Sequence, residues 1–256
     1  MKILFVFLLC ALTTIRGFAQ KTEGTIHYKE TIKLDIDFDN MKGLTEEMKA
    51  MIPSEQSTNN VLFFNEEAAL YTNVDVNEDK DIDYKSDDED VQIQIKMDAP
   101  EQAYYYDFKN KESIERQDLF GKTFLITGNK KKKWKITTES KEILGYTCKK
   151  AISMADEGEA MEAWFTTEIP SSVGPRGIND LPGAVLAFSM KDGQYEVVAT
   201  QIDFEKVDPK KIVKPKKGKK VNRKEYQKIV EAKQKEMAEI YGGNGNVILK
   251  TETIER

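Results

Sequence analysis

The sequence predicts a mainly β protein, built on one large, curved antiparallel sheet of the half-barrel kind with two helices. The strongest observation is alternation with period two across 26–38, where apolar side chains hold the even positions except at Glu30. This pattern is typical of an antiparallel strand that is buried on one face. The segment 91–97 alternates in the same way, and Asp192-Gly193 between two apolar stretches indicates a hairpin.

Further strands are predicted from short apolar or aromatic stretches. They are 103–108, 123–127 with a Gly128-Asn129 turn after it, 134–136, the stretch that starts at Trp164, 185–190 and 195–204. Their β-branched and aromatic side chains suit a pleated, half-buried surface. The sequence shows no internal repeat, and we expect a single domain over 20–256.

Two helices are predicted. Apolar residues recur at i, i+4, i+7 and i+8 near 44–52, which indicates a short amphipathic helix. A C-terminal amphipathic helix is expected near 222–241, because Asn222 can cap its first turn and Glu225 stands in the capping-box position. Gly242-Gly243 is expected to end it.

Residues 1–19 have the pattern of a cleavable secretory signal peptide. Lys2 supplies the positive start, 3–12 is a short apolar stretch, and Gly17-Phe18-Ala19 offers the small residues that a signal peptidase needs. A membrane-spanning helix would need about 20 apolar residues, and no segment of the chain has them. We therefore expect an exported protein without a transmembrane segment after signal cleavage.

Several short motifs follow one another between Trp134 and Val185. They are Trp134-Lys135-Ile136, the stretch 141–151, Ala163-Trp164-Phe165-Thr166, Glu168-Ile169-Pro170, Gly174-Pro175 and Asp180-Leu181-Pro182-Gly183-Ala184-Val185. This ordered set resembles the GLPGLI family of exported bacterial proteins. The resemblance implies a strand-rich envelope protein of bacteria with an outer membrane, and it implies no established biochemical activity. Asp180 stands where that family has its first glycine, and aspartate tolerates a left-handed conformation better than most residues.

The proline- and glycine-rich segment 170–183 permits two interpretations. It is either a rigid crossover between strands, because proline fixes φ and Gly183 supplies a turn, or a loop that closes a ligand cavity or docks a partner. In the second case the cavity is expected to be apolar, since Trp164, Leu181 and Val185 lie nearby in sequence. The candidate binding residues are Trp164, Pro170, Gly174, Pro175, Leu181, Pro182 and Gly183.

The sequence contains no recognisable catalytic or metal-binding motif. Signal cleavage would leave Cys148 as the only cysteine, and the one histidine, His27, falls on the polar face of its strand. Because a nucleophilic cysteine needs a base or a positive field, we expect Cys148 to be a buried structural thiol. The acidic stretch 75–81 resembles a calcium loop, but Lys80 stands where an EF-hand needs glycine. We therefore predict no catalytic residue, no cofactor and no metal.

The segment 210–224 holds nine basic residues and no acidic one. It is interpreted either as a flexible charged linker before the C-terminal helix or as a contact for anionic lipid headgroups or lipopolysaccharide. Nucleic acid is not expected as a partner, because the protein is expected to be exported and aromatic residues do not interleave with these lysines. The candidate contact residues are Lys214, Lys216, Lys217, Lys219 and Lys220.

Three hypotheses about function remain open from the sequence. The leading one is a non-enzymatic envelope protein that binds or carries an apolar, lipid-like ligand between the sheet and the C-terminal helix. The second is an interaction protein that docks an outer-membrane partner through strand edges or the segment 170–183. The third is a hydrolase that uses carboxylates. All three are compatible with the periplasm, the outer-membrane surface or the medium.

Overall fold

The fold is mainly β, as the alternation predicted. A computed structural model describes residues 21–34, 49–50, 52–74, 82–85, 92–95, 101–128, 132–154, 160–190 and 193–241. Within these residues twelve strands form one open sheet, and two more strands form a separate hairpin. The longest helix follows the last strand.

Fourteen strands, two short 3-10 helices and one long helix follow one another along the described part of the chain. The strands are β1 (Gly24–Lys33), β2 (Glu55–Phe64), β3 (Ala68–Asn73), β4 (Ile82–Lys85), β5 (Gln92–Ile95), β6 (Gln102–Asp107), β7 (Glu112–Leu119), β8 (Lys122–Thr127), β9 (Trp134–Ile143), β10 (Tyr146–Met154), β11 (Ala160–Thr166), β12 (Ala184–Met190), β13 (Tyr195–Asp203) and β14 (Lys219–Asn222). Short 3-10 helices lie at Pro175–Gly177 and Pro209–Lys211, and the helix α1 covers Arg223–Tyr241. β4 and β5 pair only with each other.

Two meanders meet at β1, in the middle of the large sheet. The strand order is β14-β8-β7-β6-β3-β2-β1-β13-β12-β11-β10-β9. Strands β2 to β8 therefore lie on one side of β1, apart from the separate hairpin, and β9 to β13 lie on the other. Neighbouring strands run antiparallel, except that β14 runs parallel to β8. The sheet is thus mixed, because of one edge strand that the sequence analysis did not predict.

The central strand β1 has the burial pattern that the sequence indicated over 26–30. Ile32 is exposed instead, the strand ends at Lys33, and 35–38 lie outside the described residues. Ile26 and Tyr28 are buried, whereas Lys29 between Tyr28 and Glu30 is exposed. The Tyr28 hydroxyl donates a hydrogen bond of 2.7 Å to the carbonyl oxygen of Val185. Glu30 is buried on the same face as Tyr28, and a buried carboxylate requires partners.

One apolar cluster covers the sheet face on which these β1 side chains lie. It joins side chains of β1, β2 and β3 to side chains of β10, β11, β12 and β13. The segment 167–183 adds its own buried side chains to this cluster, namely Ile169, Val173, Ile178 and Leu181. The core therefore lies between the sheet and this irregular segment, which acts as a second layer.

The helix α1 begins as the sequence predicted. The Asn222 side-chain oxygen accepts a hydrogen bond of 2.9 Å from the Glu225 amide, and the Glu225 carboxylate accepts one of 2.9 Å from the Asn222 amide. This reciprocal pair is a capping box. Tyr226 and Ile229 of the first two turns pack against a small buried cluster of β8 and β14 that includes Phe124. The helix thereby covers one end of the sheet.

Asn222→Ala is expected to lower the free energy of unfolding by about 1 kcal/mol. The substitution removes the acceptor of the Glu225 amide, which has no other partner in the first turn. Urea denaturation followed by circular dichroism would measure the loss. Asn222→Asp keeps the acceptor and should retain near-native stability, and equal losses in the two variants would contradict a capping role.

Some sequence predictions fall on residues outside the described ranges. The signal peptide 1–19, the acidic stretch 75–81 and the helix end at Gly242-Gly243 lie outside them. Of the helix expected near 44–52, only Lys49 and Ala50 are described as helical. None of the helices within the described residues is long and apolar enough to cross a membrane.

Candidate binding site

The segment 167–183 crosses the apolar face of the sheet and folds back on itself. The Ala184 amide donates to the carbonyl oxygen of Ile169 at 3.0 Å, and the Val185 amide donates to that of Val173 at 2.8 Å. These bonds bring the two ends of the segment together and direct its middle, the 3-10 turn Pro175–Gly177, over the sheet. Side chains of this segment fill the face where the sequence suggested an apolar ligand.

Asp180 fastens this segment to the beginning of β9. Its carboxylate accepts hydrogen bonds of 2.7 Å from the Lys132 amide and from the Trp134 indole Nε1. Asp180 thus has a structural role of its own. Left-handed conformations in this segment fall instead at Arg176, Gly177 and Gly183.

Arg176 projects from the 3-10 turn into a group of tyrosines. Its guanidinium donates hydrogen bonds of 3.1 Å to Glu30 Oε1 and of 3.0 Å to the Tyr195 hydroxyl. The Tyr104 and Tyr195 ring centroids lie 5.6 and 5.1 Å from the guanidinium carbon, within the range of cation–π attraction. The backbone of Arg176 is left-handed, with φ 51° and ψ 36°, which is unfavourable for a residue other than glycine. Four contacts of the Arg176 side chain, two hydrogen bonds and two ring contacts, hold the turn in this conformation.

Glu30 is the buried anion that balances Arg176. Its second oxygen, Oε2, accepts a hydrogen bond of 3.2 Å from the Tyr71 hydroxyl and longer contacts from Gln102 at 3.4 Å and Asn60 at 3.5 Å. Burial raises the pKa of Tyr71 well above its usual range, and the Glu30 carboxylate raises it further. The Tyr71 hydroxyl therefore keeps its proton and remains a donor. We call Glu30, Tyr71, Tyr104, Arg176 and Tyr195 the Arg176 cluster.

A second polar group connects this cluster to the helix. The Gln117 side chain donates a hydrogen bond of 2.8 Å to the Tyr104 hydroxyl and accepts one of 3.1 Å from the Tyr226 hydroxyl. It also contacts Glu115, a buried carboxylate that is paired with Arg223 at the start of α1. These hydrogen bonds make β6, β7 and α1 one continuous polar surface beside the Arg176 cluster.

Lys132 adds a second cation to the arrangement. Its ammonium lies 5.4 Å from the Phe188 ring centroid and 6.0 Å from that of Trp134, and it donates no hydrogen bond within the described residues. Burial lowers the pKa of this ammonium, Asp180 raises it, and Arg176 lowers it. Lys132 is therefore close enough to Arg176 for the two positive charges to repel each other. We refer to the Arg176 cluster together with Glu115, Gln117, Lys132, Arg223 and Tyr226 as the polar site.

The polar site brings charged side chains, hydrogen-bonding groups and tyrosine rings together, and the rings of Tyr71, Tyr104 and Tyr195 are buried. Its carboxylates are already paired, Glu30 with Arg176 and Glu115 with Arg223. Arg176 keeps 29 % of its side chain exposed although its Glu30 partner keeps only 4 %. The Arg176 side chain is therefore more accessible to a ligand than the Glu30 carboxylate. Such an arrangement suits the binding of an uncharged polar molecule.

The sequence analysis did not identify the polar site. Its members come from strands and turns that are far apart along the chain, and none belongs to a motif. Glu30 carried the one available signal, because it interrupts the apolar positions of 26–38. A charged residue in that series predicts a buried polar partner, but the sequence does not indicate that the partner is Arg176.

The binding residues expected from the sequence are divided between surface and core. Gly174, Pro175, Leu181 and Gly183 are buried under or within the segment 167–183, whereas Pro170 and Pro182 are exposed. Trp164 is half-buried, and strand alternation assigns its ring to the opposite face of β11 from Ala163 and Phe165. Lys141 and Lys150 lie 4.3 and 5.9 Å from that ring centroid.

The basic segment is partly ordered into regular structure. It includes most of the 3-10 helix Pro209–Lys211 and the edge strand β14, so only the stretch between them is irregular. Lys214 pairs with Glu112 at 3.1 Å. The lysines at 216, 217, 219 and 220 are exposed and form no ion pair within the described residues.

Cys148 and His27 lie apart from each other. Cys148 is buried in the apolar cluster, and burial raises the pKa of its thiol to about 11. The imidazole of His27 is partly exposed on β1, 3.9 Å from Asp203. Within the described residues no group of three His, Cys, Asp or Glu side chains is arranged to hold a metal ion.

Comparison with known proteins identifies one family. A family model described as "N-glycanase peptide, N-terminal domain" matches residues 54–228, which is more than half of the chain. Two solved structures of PNGF-II, in the P21 and C2 space groups, superpose with TM-scores of 0.51 and 0.52 at 18 % identity. They cover 83 % of this chain but only 34 % and 33 % of their own, so this chain spans about a third of their length. At this identity the likeness concerns the fold. No curated protein matches the sequence.

Proposed function

The chain belongs to the family of N-terminal domains of N-glycanase peptide, and from this premise we propose that it is a non-catalytic binding module for N-linked glycans. The polar site is the proposed binding surface. The ligand class is inferred from the N-glycanase family, and the proposed contacts are inferred from the side chains of the polar site. Hydrolysis is assigned to no residue here, because the chain spans about a third of PNGF-II and its two buried carboxylates are held in ion pairs.

The proposal is carried by the partly exposed side chain of Arg176, whose guanidinium lies between two tyrosine rings. A sugar presents hydroxyl groups at its edge and C–H bonds on its faces. Arginine carries five donors of fixed direction, and only one nitrogen of Arg176 is engaged by Glu30 and Tyr195. The Arg176 position is well defined, because Glu30 and Tyr195 hold the guanidinium from one side. A preorganised site of this kind loses little entropy on binding.

The apolar-ligand hypothesis has less support than the polar one. Ile169, Val173, Ile178 and Leu181 occupy the apolar face of the sheet and are all buried. A lipid-like ligand would have to displace them, at a cost of about 2 kcal/mol for each side chain exposed. The segment 167–183 therefore fits a crossover that fills the core better than a loop that covers a ligand.

A partner-docking role is the second candidate, and the edge strand β9 favours it. Most of its residues are exposed, and its outer edge carries no neighbouring strand in the described sheet. Ile136 and Leu144 are large apolar side chains exposed at this edge. Such an edge can accept an added strand from another protein.

We also propose that the protein is exported and that its resemblance to the GLPGLI family reflects a similar role in the cell envelope. The segment 1–19 supports secretion by its composition, and a glycan-binding module would meet its ligands outside the cell. The GLPGLI resemblance of 134–185 agrees with an envelope protein of this kind. The periplasm, the outer-membrane surface and the medium are all compatible with this proposal.

The decisive experiment compares one peptide with and without its N-linked glycan. Isothermal titration of the chain from Gln20 should give saturable binding to the glycopeptide and none to the deglycosylated peptide. Lys132→Ala should weaken this binding about tenfold, because the ligand then loses one hydrogen bond to a charged ammonium group. Only the side chain changes, so the amide that Asp180 accepts from is retained.

Lys133→Ala is the matched control, since Lys133 is the exposed neighbour of Lys132 and should leave the affinity unchanged. Equal binding of both peptides would refute the glycan proposal. Failure of every N-glycan to bind would do so too, provided the protein is folded. An equal effect of both lysine variants would place the ligand elsewhere on the surface.

A further inference from the structure

The turn between β7 and β8 holds an exposed aromatic residue in an unfavourable conformation. Leu119 pairs with Lys122, so Phe120 and Gly121 form a two-residue turn, with φ values of 48° and 70°. Turns of this type favour asparagine or aspartate before glycine, and a bulky residue with positive φ is an outlier. The Phe120 side chain is 42 % exposed. An aromatic ring is thus kept on the surface by a backbone that would be more stable with another residue.

The basic segment brings lysines to the same end of the sheet. Since β14 is parallel to β8, Lys219 lies opposite Phe124, close to where β8 begins. Gly218 packs so closely that a β-carbon added there would lie 3.0 Å from the Thr123 side chain. Phe120 is three residues from Thr123 along the chain, at most about 10 Å.

The charge around Phe120 is positive. Lys122, Lys216, Lys217 and Lys219 are exposed, and none of them forms an ion pair within the described residues. The nearest acid on β7, Asp118, is paired with Arg116 at 3.6 Å. The lysines therefore keep their charge available for a partner outside the protein.

We propose that Phe120, Lys122, Lys216, Lys217 and Lys219 form a docking surface for a lipid bilayer with anionic headgroups. Phe120 inserts at the boundary between headgroups and acyl chains, where aromatic rings are favoured. The lysines lie among the anionic headgroups, which attract basic residues near the surface. A soluble polyanion would use the lysines but would give the exposed ring no apolar phase. The proposal is independent of the polar site, which lies around Arg176.

Sedimentation with vesicles tests this surface. The chain from Gln20 should bind vesicles of phosphatidylcholine with one third phosphatidylglycerol and should not bind pure phosphatidylcholine. Combined replacement of Lys216, Lys217 and Lys219 by glutamine should reduce partitioning about a hundredfold, since each lysine contributes roughly a fivefold factor. Raising the salt concentration to about 1 M should also release the protein, because the Debye length then falls to about 3 Å.

Phe120→Gly separates binding from folding. Glycine relieves the positive φ and should raise the melting temperature, yet partitioning should fall about tenfold because the ring is lost. Leu144→Gly is the matched control, since Leu144 is an exposed apolar residue in the same position of a two-residue turn, with φ 51° before Gly145. It should not change partitioning.

Several results would overturn the proposal. They are equal binding to neutral and anionic vesicles, no binding to either, binding to dextran sulfate without binding to vesicles, or equal losses for Phe120→Gly and Leu144→Gly. Loss of glycopeptide binding would leave this proposal unaffected. Loss of vesicle binding would likewise leave the glycan proposal unaffected.

Discussion

Gly183→Ala is expected to lower the free energy of unfolding by at least about 3 kcal/mol. A β-carbon at residue 183 would lie 2.0 Å from the carbonyl oxygen of Thr166 and 2.8 Å from its carbonyl carbon. Both are backbone atoms at the end of β11, so they cannot move aside as a flexible side chain would. The φ of 152° is also a conformation that L-residues rarely adopt. The glycine is therefore required where the segment 167–183 meets β11.

Gly145→Ala separates the steric effect from the conformational one. Gly145 also has a positive φ, 80°, but no atom lies within 4 Å of the position that its β-carbon would take. Its replacement should cost only about 1–2 kcal/mol. Urea denaturation of the two variants would measure both losses. Similar midpoints would show that the close approach to Thr166 relaxes without a large penalty.

Arg176→Met is expected to cost about 3 kcal/mol at neutral pH, because it leaves the buried Glu30 carboxylate without a counterion. Thermal unfolding of both proteins at neutral pH is the measurement, and equal stabilities would contradict a counterion role for Arg176.

A double-mutant cycle shows whether the loss comes from this pair. Glu30→Gln combined with Arg176→Met should cost less than the sum of the single variants, by about 1 kcal/mol or more. Lys214→Met is the control, because Lys214 and Glu112 also lie 3.1 Å apart but are 42 % and 60 % exposed. An exposed pair contributes at most about 1 kcal/mol. A cycle without coupling would contradict the role given to Glu30.

Local sequence signals predicted the parts of the fold that depend on local rules. The alternation of 26–38 indicated β1, Asp192-Gly193 indicated the hairpin of β12 and β13, and Asn222 with Glu225 indicated the beginning of α1. Each signal involves residues within one element or one turn. The mainly β fold followed from them.

The remaining parts depend on contacts between distant segments. The strand β14 has a lysine-rich sequence without alternation, so its pairing with β8 left no signal. The segment 167–183 has apolar residues at irregular intervals, and such spacing does not reveal which side faces the core. The Arg176 cluster draws on β1, β3, β6, β13 and a 3-10 turn, and only the sheet order brings these together.

The position of β1 between the two meanders affects how the chain acquires its structure during synthesis. Several pairs within each meander, such as β2 with β3 and β9 with β10, join consecutive strands and close short loops. The pairs β3 with β6 and β11 with β12 close longer ones. The pairing of β1 with β13 joins Thr25 to Asp203 and must wait until residue 203 has been synthesised. Until then, β1 at the edge of one meander and β13 at the edge of the other each lack a partner on that side. The nascent chain is consequently most exposed to wrong strand pairing before this seam closes.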